Sequence, residues 1–268
     1  MNADAIADFL LSFQERPWAF AALVFASLLV RFILIAGGSY VLLWHLFLRW
    51  WPNYMSRRRQ QDSRHPTIIL YELRYSVLTF IINTILALGL YRLFNEGHTA
   101  IYMNFDTRSW GYAFVSLLVC FVVHDAWFYC MHRLMHTRWM YKHIHIVHHR
   151  SVNPTPFASF SFHPVEAILE FLFLLPLILW LPLHPATLVL FLLLTHFFVI
   201  NGHFGFEMLP RRVWTAWWGR WLTTGTHHNL HHRYPKGNYA LYCKYWDICL
   251  GTYHERTDEE FLLRTASE

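Results

Sequence analysis

Residues 124–149 read HDAWFYCMHRLMHTRWMYKHIHIVHH, with seven histidines packed where a long apolar run gives way to polar sequence. His132 and His136 are four apart, so on a helix their rings stand on one face. His145, His148 and His149 follow at i, i+3 and i+4, which reads as one helical stripe, and the same spacing returns far downstream as His228, His231 and His232. Imidazole is the commonest metal ligand and suits iron, zinc and copper. A first-row ion takes about six ligands at most, so these eight imidazoles need at least two ions if all of them bind. Ordinary hydrogen-bonded histidines would explain any one cluster; three clusters with repeated spacing favour metal.

Outward from this stretch, composition sets the class. The chain has 268 residues, of which 55% are hydrophobic and only 15% charged. Soluble domains carry about 25% charged residues, so the reading is an integral membrane protein of all-α class, a helical bundle of about 4–5 transmembrane helices. Apolar runs at 18–48, 75–94, 110–131, 167–181 and 186–203 supply five candidate spans. Arg31 interrupts the first, either facing the bundle or marking a later start near Phe32, and Gly37-Gly38 suggests close helix packing. Pro182-Leu183-His184-Pro185 reads as the turn of a helical hairpin whose first arm Pro176 should kink. Residues 1–17 carry Asp4, Asp8 and Glu15 without a basic start, so no cleavable signal peptide is expected. Cys120, Cys130, Cys243 and Cys249 form no C-x-x-C pair and read as reduced, buried hydrophobes.

The net charge of +5 could suggest nucleic acid, but the basic residues flank apolar spans. With five spans and an outside N-terminus, 18 of 22 lysines and arginines fall in 49–74, 130–165 and 204–268. That asymmetry places those segments, and every histidine cluster, on the cytoplasmic side as a His-rich helical cap. Trp214, Trp217, Trp218 and Trp221 have helical spacing and predict an interfacial amphipathic helix. The organisation is then 1–109, an N-terminal membrane region with a basic connector; 110–255, the histidine-bearing region; and 256–268, a polar tail. Beyond the histidine triplet there is no internal repeat.

Glu-x-x-His pairs of the soluble di-iron bundles are absent. An all-imidazole pair of ions beside a bilayer suits iron chemistry with dioxygen on an unactivated C–H bond of a lipid, and zinc shares the ligand preference. Two rivals exist: a His-rich metal-ion transporter or sensor, and a membrane cytochrome with bis-histidine haem on His124 and His196. Among the remaining histidines, His124 reads as a ligand or a supporting partner, His143 and His227 as supporting or surface groups, and His196 as an interhelical hydrogen-bonding group. His163 reads as a cap, and His45, His65, His98, His184 and His254 as structural. Asp125, Glu166, Glu207 and Asp247 are candidates to orient ligand rings.

The order His-x-x-x-His, His-x-x-His-His and a late His-x-x-His-His resembles the fatty acid hydroxylase/sterol desaturase superfamily of membrane di-iron oxygenases, over roughly residues 110–255. Thr155-Pro156-Phe157-Ala158-Ser159, His163-Pro164-Val165-Glu166, Leu181-Pro182-Leu183-His184 and Trp246-Asp247-x-x-x-Gly251-Thr252 are similar to sterol 5-desaturases of the lathosterol oxidase type. The resemblance implies two iron ions (zinc as a substitute in a purified sample) on His132, His136, His145, His148, His149, His203, His228, His231 and His232, with all but His203 also named as catalytic. His203 enters only through the resemblance, in the place of the family's isolated ligand. Phe204 and His227 depart from the family pattern. The implied activity is O2-dependent hydroxylation or desaturation of a sterol-like or fatty-acyl lipid. An external electron donor is expected, a b-type cytochrome or a ferredoxin with its reductase, because no haem or flavin segment is visible in the chain.

Overall fold

A computed structural model describes residues 8–50, 66–104 and 108–266. The arginines at 57, 58, 59 and 64 of the basic connector, and His65, lie outside the described residues. Every regular element among those described is helical, the one β feature being an isolated bridge between Leu222 and Cys243.

Four helices are long and apolar enough to cross a membrane: α1 Pro17–Leu46, α2 Pro66–Asn95, α3 Trp110–Met135 and α6 Pro185–Gly202. The segment expected as a further span at 167–181 is instead two short helices, α4 Pro164–Phe171 and α5 Leu174–Trp180. Pro176 is the cause. It has no N–H to give the Leu172 carbonyl and its ring would strike that carbonyl, so the helix ends at Phe171 and restarts with the proline in its first turn. The kink expected there is a full break. The broken pair still carries the chain away from the histidines: Ala100 N–H donates to Ile178 O at 2.8 Å, and Tyr102 N–H to Leu183 O at 3.1 Å.

α1 packs on α2 through stacked Phe20 and Tyr91 and edge-on Phe32 and Phe80. α3 packs on α6 through Phe121 and Phe191. Arg31 lies within α1 and faces the bundle, donating to Leu192 O of α6 at 3.4 Å and to Ser27 O at 3.1 Å. The Gly37-Gly38 pair does not serve close packing, since a Cβ at either position would meet nothing within 4 Å. Two π-turns, Ile33–Gly37 and Leu42–Phe47, bracket the pair, so its place is in a stretch of altered helical winding. Of the four free cysteines only Cys120 is buried; Cys130 and Cys249 are exposed.

Beyond the end of α3, residues 138–149 form a short helical run with a π-turn at Tyr141–His145. α7, Gly225–Arg233, lies against it, followed by α8 Tyr245–Cys249 and α9 Arg256–Arg264. The tryptophans at 214–221 do not form one amphipathic helix. Helix Arg211–Trp214 stops, and a 3-10 turn at Gly219–Trp221 folds back on it. A Cβ on Gly219 would sit 1.8 Å from Val213 O, so the reversal needs glycine. Trp214 stacks on Phe261 of α9, which makes it a packing residue of the cap.

Candidate metal centre

α3 runs past the apolar core and delivers His132 in its last turn and His136 at its C-cap. The 138–149 run brings His145, His148 and His149, the end of α6 brings His203, and α7 brings His228, His231 and His232. Their ligand atoms converge in two groups. One consists of His132, His136, His145, His149 and His231; the other of His148, His203, His228 and His232. The groups adjoin, with the rings of His149 and His232 stacked at 4.7 Å.

Each triplet therefore divides between the groups, where the sequence suggested a single stripe. At about 100° per residue, i and i+4 lie about 40° apart while i+3 swings about 60° the other way. His145 and His149 accordingly share the first group and His148 crosses to the second; His228 and His232 share the second and His231 crosses to the first. The two triplets interlock.

Four of the nine rings are held by a hydrogen bond at the far nitrogen, whereas Nδ1 of His148, His149 and His232 is buried without a partner among the described residues. His132 Nδ1–H donates to Tyr239 O at 2.9 Å, His231 Nδ1–H to Gly237 O at 2.8 Å and His203 Nδ1–H to Val199 O at 3.0 Å. His145 Nδ1 lies 2.7 Å from Glu166 Oε1, both groups being buried. A carbonyl can only accept, so in His132, His203 and His231 it is Nε2 that carries the lone pair.

The donor set fits metal ions on three observations. His231 Nε2, already without a proton, lies 3.1 Å from His136 Nε2 and 2.9 Å from His149 Nε2. In the second group His228 Nε2 lies 3.0 Å from His203 Nε2 and 3.1 Å from His232 Nε2. Ligand nitrogens about 2.1 Å from one ion and at right angles to each other are separated by about 3.0 Å. Third, His145 Nε2 is buried with no hydrogen-bond partner among the described residues. One cation in each group satisfies these lone pairs together.

Electrostatics prepare the same outcome. Burial first, then the neighbouring imidazoles, push His145, His148, His149, His228, His231 and His232 well below the usual 6.5. They are neutral at pH 7, as ligation requires. Burial and the adjacent Glu170 push Glu166 well above the ordinary carboxylate range; a cation on His145 would reverse that.

A cavity of about 560 Å³ opens against both groups, touching His132 and His145 of one and His148, His203 and His228 of the other. Phe121, Phe128 and Phe162 line its body. Val122 of α3 and Phe197 and Phe198 of α6 also line it and are 64%, 45% and 43% exposed, so its mouth lies between the outer faces of two spanning helices.

The other candidates take supporting places. His124 Nδ1 bonds Tyr242 Oη at 2.8 Å and its ring stacks on Phe173. His196 does not make the expected interhelical hydrogen bond: its Nε2 is buried without a partner among the described residues and its ring stacks on Phe160, while exposed His143 bonds Trp139 O. His163, His184 and His254 each accept an N–H at the start of a helix. Asp125 does not orient a ligand ring: it accepts Tyr242 N–H at 2.7 Å and Trp246 Nε1–H at 3.1 Å, tying the 242–246 segment to α3. Glu207 accepts from the backbone and hydroxyl of Thr226, holding the start of α7.

Asp247 is the hub of the cap. It accepts from Tyr239 N, Ala240 N, Thr252 Oγ1 and His227 Nε2, the last at 3.0 Å. It thereby fixes the 237–240 turn whose carbonyls anchor His231 and His132. Gly237, with φ of 110° and Thr252 O only 2.5 Å from a would-be Cβ, admits no side chain. The turn residues Gly237, Asn238 and Tyr239 were absent from the sequence-based candidates, although Lys-Gly-Asn-Tyr carries a turn signal.

A profile of the fatty acid hydroxylase family matches residues 117–252, more than half the chain and inclusive of all nine clustered histidines. The chain belongs to the fatty acid hydroxylase family. Among curated members, the Delta(7)-sterol 5(6)-desaturase ERG3B of Gibberella zeae is 26% identical over 230 residues, 83% of this chain and 64% of that protein. Human lathosterol oxidase is 28% identical over 186 residues, 68% of this chain and 60% of that protein. The Delta(7)-sterol 5(6)-desaturase ERG3 of Saccharomyces cerevisiae is 31% identical over 180 residues, 65% and 46% of the two chains. The chain thus spans less than two thirds of the length of these relatives. No solved structure matches it.

Proposed function

We propose that this protein is a membrane-bound di-iron oxygenase that uses O2 and two external electrons to hydroxylate or desaturate a lipid. The observation that carries this reading is the apolar cavity walled at its inner end by both imidazole groups and open between two spanning helices. His132, His136, His145, His149 and His231 would hold one iron and His148, His203, His228 and His232 the other. Bound there, the irons would supply the dioxygen chemistry that breaks an unactivated C–H bond. The chain's own part is to present neutral imidazoles, to hold His231, His132, His203 and His145 through Gly237 O, Tyr239 O, Val199 O and Glu166, and to bring the lipid chain in from the bilayer while keeping water out.

The positive-inside asymmetry supports a cytoplasmic position for the cap, where a b-type cytochrome or a ferredoxin with its reductase would reach it. The sterol desaturases among the relatives make a sterol-like lipid the first substrate to try. A bis-histidine cytochrome is disfavoured, since His124 and His196 are engaged with separate aromatic partners. A metal-ion transporter is disfavoured by the apolar lining of the cavity. The test is metal analysis of protein expressed with ample iron, joined to comparative lipidomics of cells with and without it. About two irons per chain and an oxygen-dependent lipid product are expected; iron-free protein, or unchanged lipids, would overturn the proposal.

A further inference from the structure

The cavity wall carries one carboxyl with nothing to hold. Asp125 and Glu207 spend their oxygens on Tyr242, Trp246 and Thr226, and Glu166 faces His145. Glu170, one turn beyond Glu166 on α4, lines the same cavity and makes no hydrogen bond to any described residue. Its side chain is half-buried. A polar group left in an apolar cavity is costly unless a ligand completes it, and sparse polar groups in apolar pockets are what orient ligands. No lysine or arginine among the described residues lines this cavity, so away from the metal centre an anionic lipid head meets no counter-charge in it.

We infer that Glu170 is a positioning residue that hydrogen-bonds the hydroxyl of a neutral lipid and so selects hydroxylated lipids over free fatty acids. The inference rests on the lipid-oxygenase reading above and narrows its substrate class. A carboxyl accepts from a hydroxyl in either protonation state, and a glutamine in its place would accept as well, whereas a leucine would not. A site built around a substrate hydroxyl discriminates strongly against the analogue that lacks it.

The experiment measures binding to iron-loaded protein in detergent micelles, for wild type, Glu170→Gln and Glu170→Leu, with iron content determined alongside. The probes are matched pairs: a Δ7-sterol and its 3-deoxy analogue, and hexadecanol and hexadecane, with palmitate as the anionic arm. Wild type should bind at least one alcohol about tenfold or more tightly than its deoxy partner. Glu170→Leu should abolish that difference without weakening the deoxy compound or lowering iron content, and Glu170→Gln should keep it within about threefold. Equal loss for both members of a pair, no loss for either, or palmitate bound more tightly than hexadecanol would each overturn the assignment of Glu170 while leaving the oxygenase reading intact. Failure of every probe to bind would overturn both.

Discussion

At the scale of single residues, the site depends on which ring nitrogen each histidine offers. Glu166 sits behind His145, and its replacement by glutamine keeps the volume but weakens the pull on Nδ1–H. Loss of such a partner typically costs 10–100-fold in metal affinity, so Glu166→Gln should lose iron to a chelator at about that much lower concentration, with the helical circular dichroism unchanged. If each group holds one ion, removing one candidate ligand from each separates the two. His231→Ala strips a ligand from the five-imidazole group and His203→Ala one from the four-imidazole group. Each variant should fall from about two irons per chain toward one. Retention of both irons in both variants would refute the division into two sites. These histidines could be named from spacing alone, except for His203, which stands isolated in Gly-His-Phe-Gly and has no helical partner to mark it. Of their supports Glu166 was named as well, but Val199 O, Gly237 O and Tyr239 O could not be, because backbone carbonyls leave no trace in side-chain identity.

At the scale of elements, the 237–253 segment is held to the cap by Asp247. Its four accepted hydrogen bonds come from donors spread over Tyr239, Ala240, Thr252 and His227. Asparagine at 247 would turn an amide N–H toward some of those donors. Hydrogen bonds to a buried charged group are worth about 1.5–3 kcal/mol each, so Asp247→Asn should lower stability by roughly 2–4 kcal/mol, read as a drop in melting temperature in detergent. Iron content should fall with it, because Tyr239 O and Gly237 O lose their register. The helix ends were partly legible: His163 caps as its place before Pro164 suggested, and Pro164 and Pro185 stand at first helical positions. The break at 171–174 was legible only as a kink at Pro176, because a proline's cost does not say whether the helix bends or ends, and the reversal at 214–219 was not legible, since helical tryptophan spacing hides the turn at Gly219.

At the scale of the molecule, many neutral imidazoles share one buried site. A histidine held below its usual 6.5 in the fold takes up a proton on unfolding, so the unfolded state binds more protons and stability falls as pH drops below 6.5. Each such group contributes up to about 1.4 kcal/mol per pH unit, and six of the cluster histidines outside the spans are shifted in this direction. Metal-free protein should therefore lose melting temperature steeply between pH 7 and pH 5. Iron-loaded protein should lose less over the upper part of that range, since bound metal excludes the proton. A flat profile for the metal-free protein would show that the rings stay accessible to protons when folded.

What the sequence determined by itself was class and the inventory of candidate ligands, His203 excepted. Apolar runs of bilayer length are satisfied as helices, and histidines four apart share a face on a helix. The grouping of those histidines was decided by tertiary structure. The 138–149 run and α7 meet so that each triplet gives its i and i+4 rings to one group and its i+3 ring to the other. The same packing placed Gly237, Tyr239 and Asp247 behind the rings and left Glu170 facing the cavity. Such pairings depend on how helices distant in the chain are rotated against each other, a quantity that no local spacing encodes.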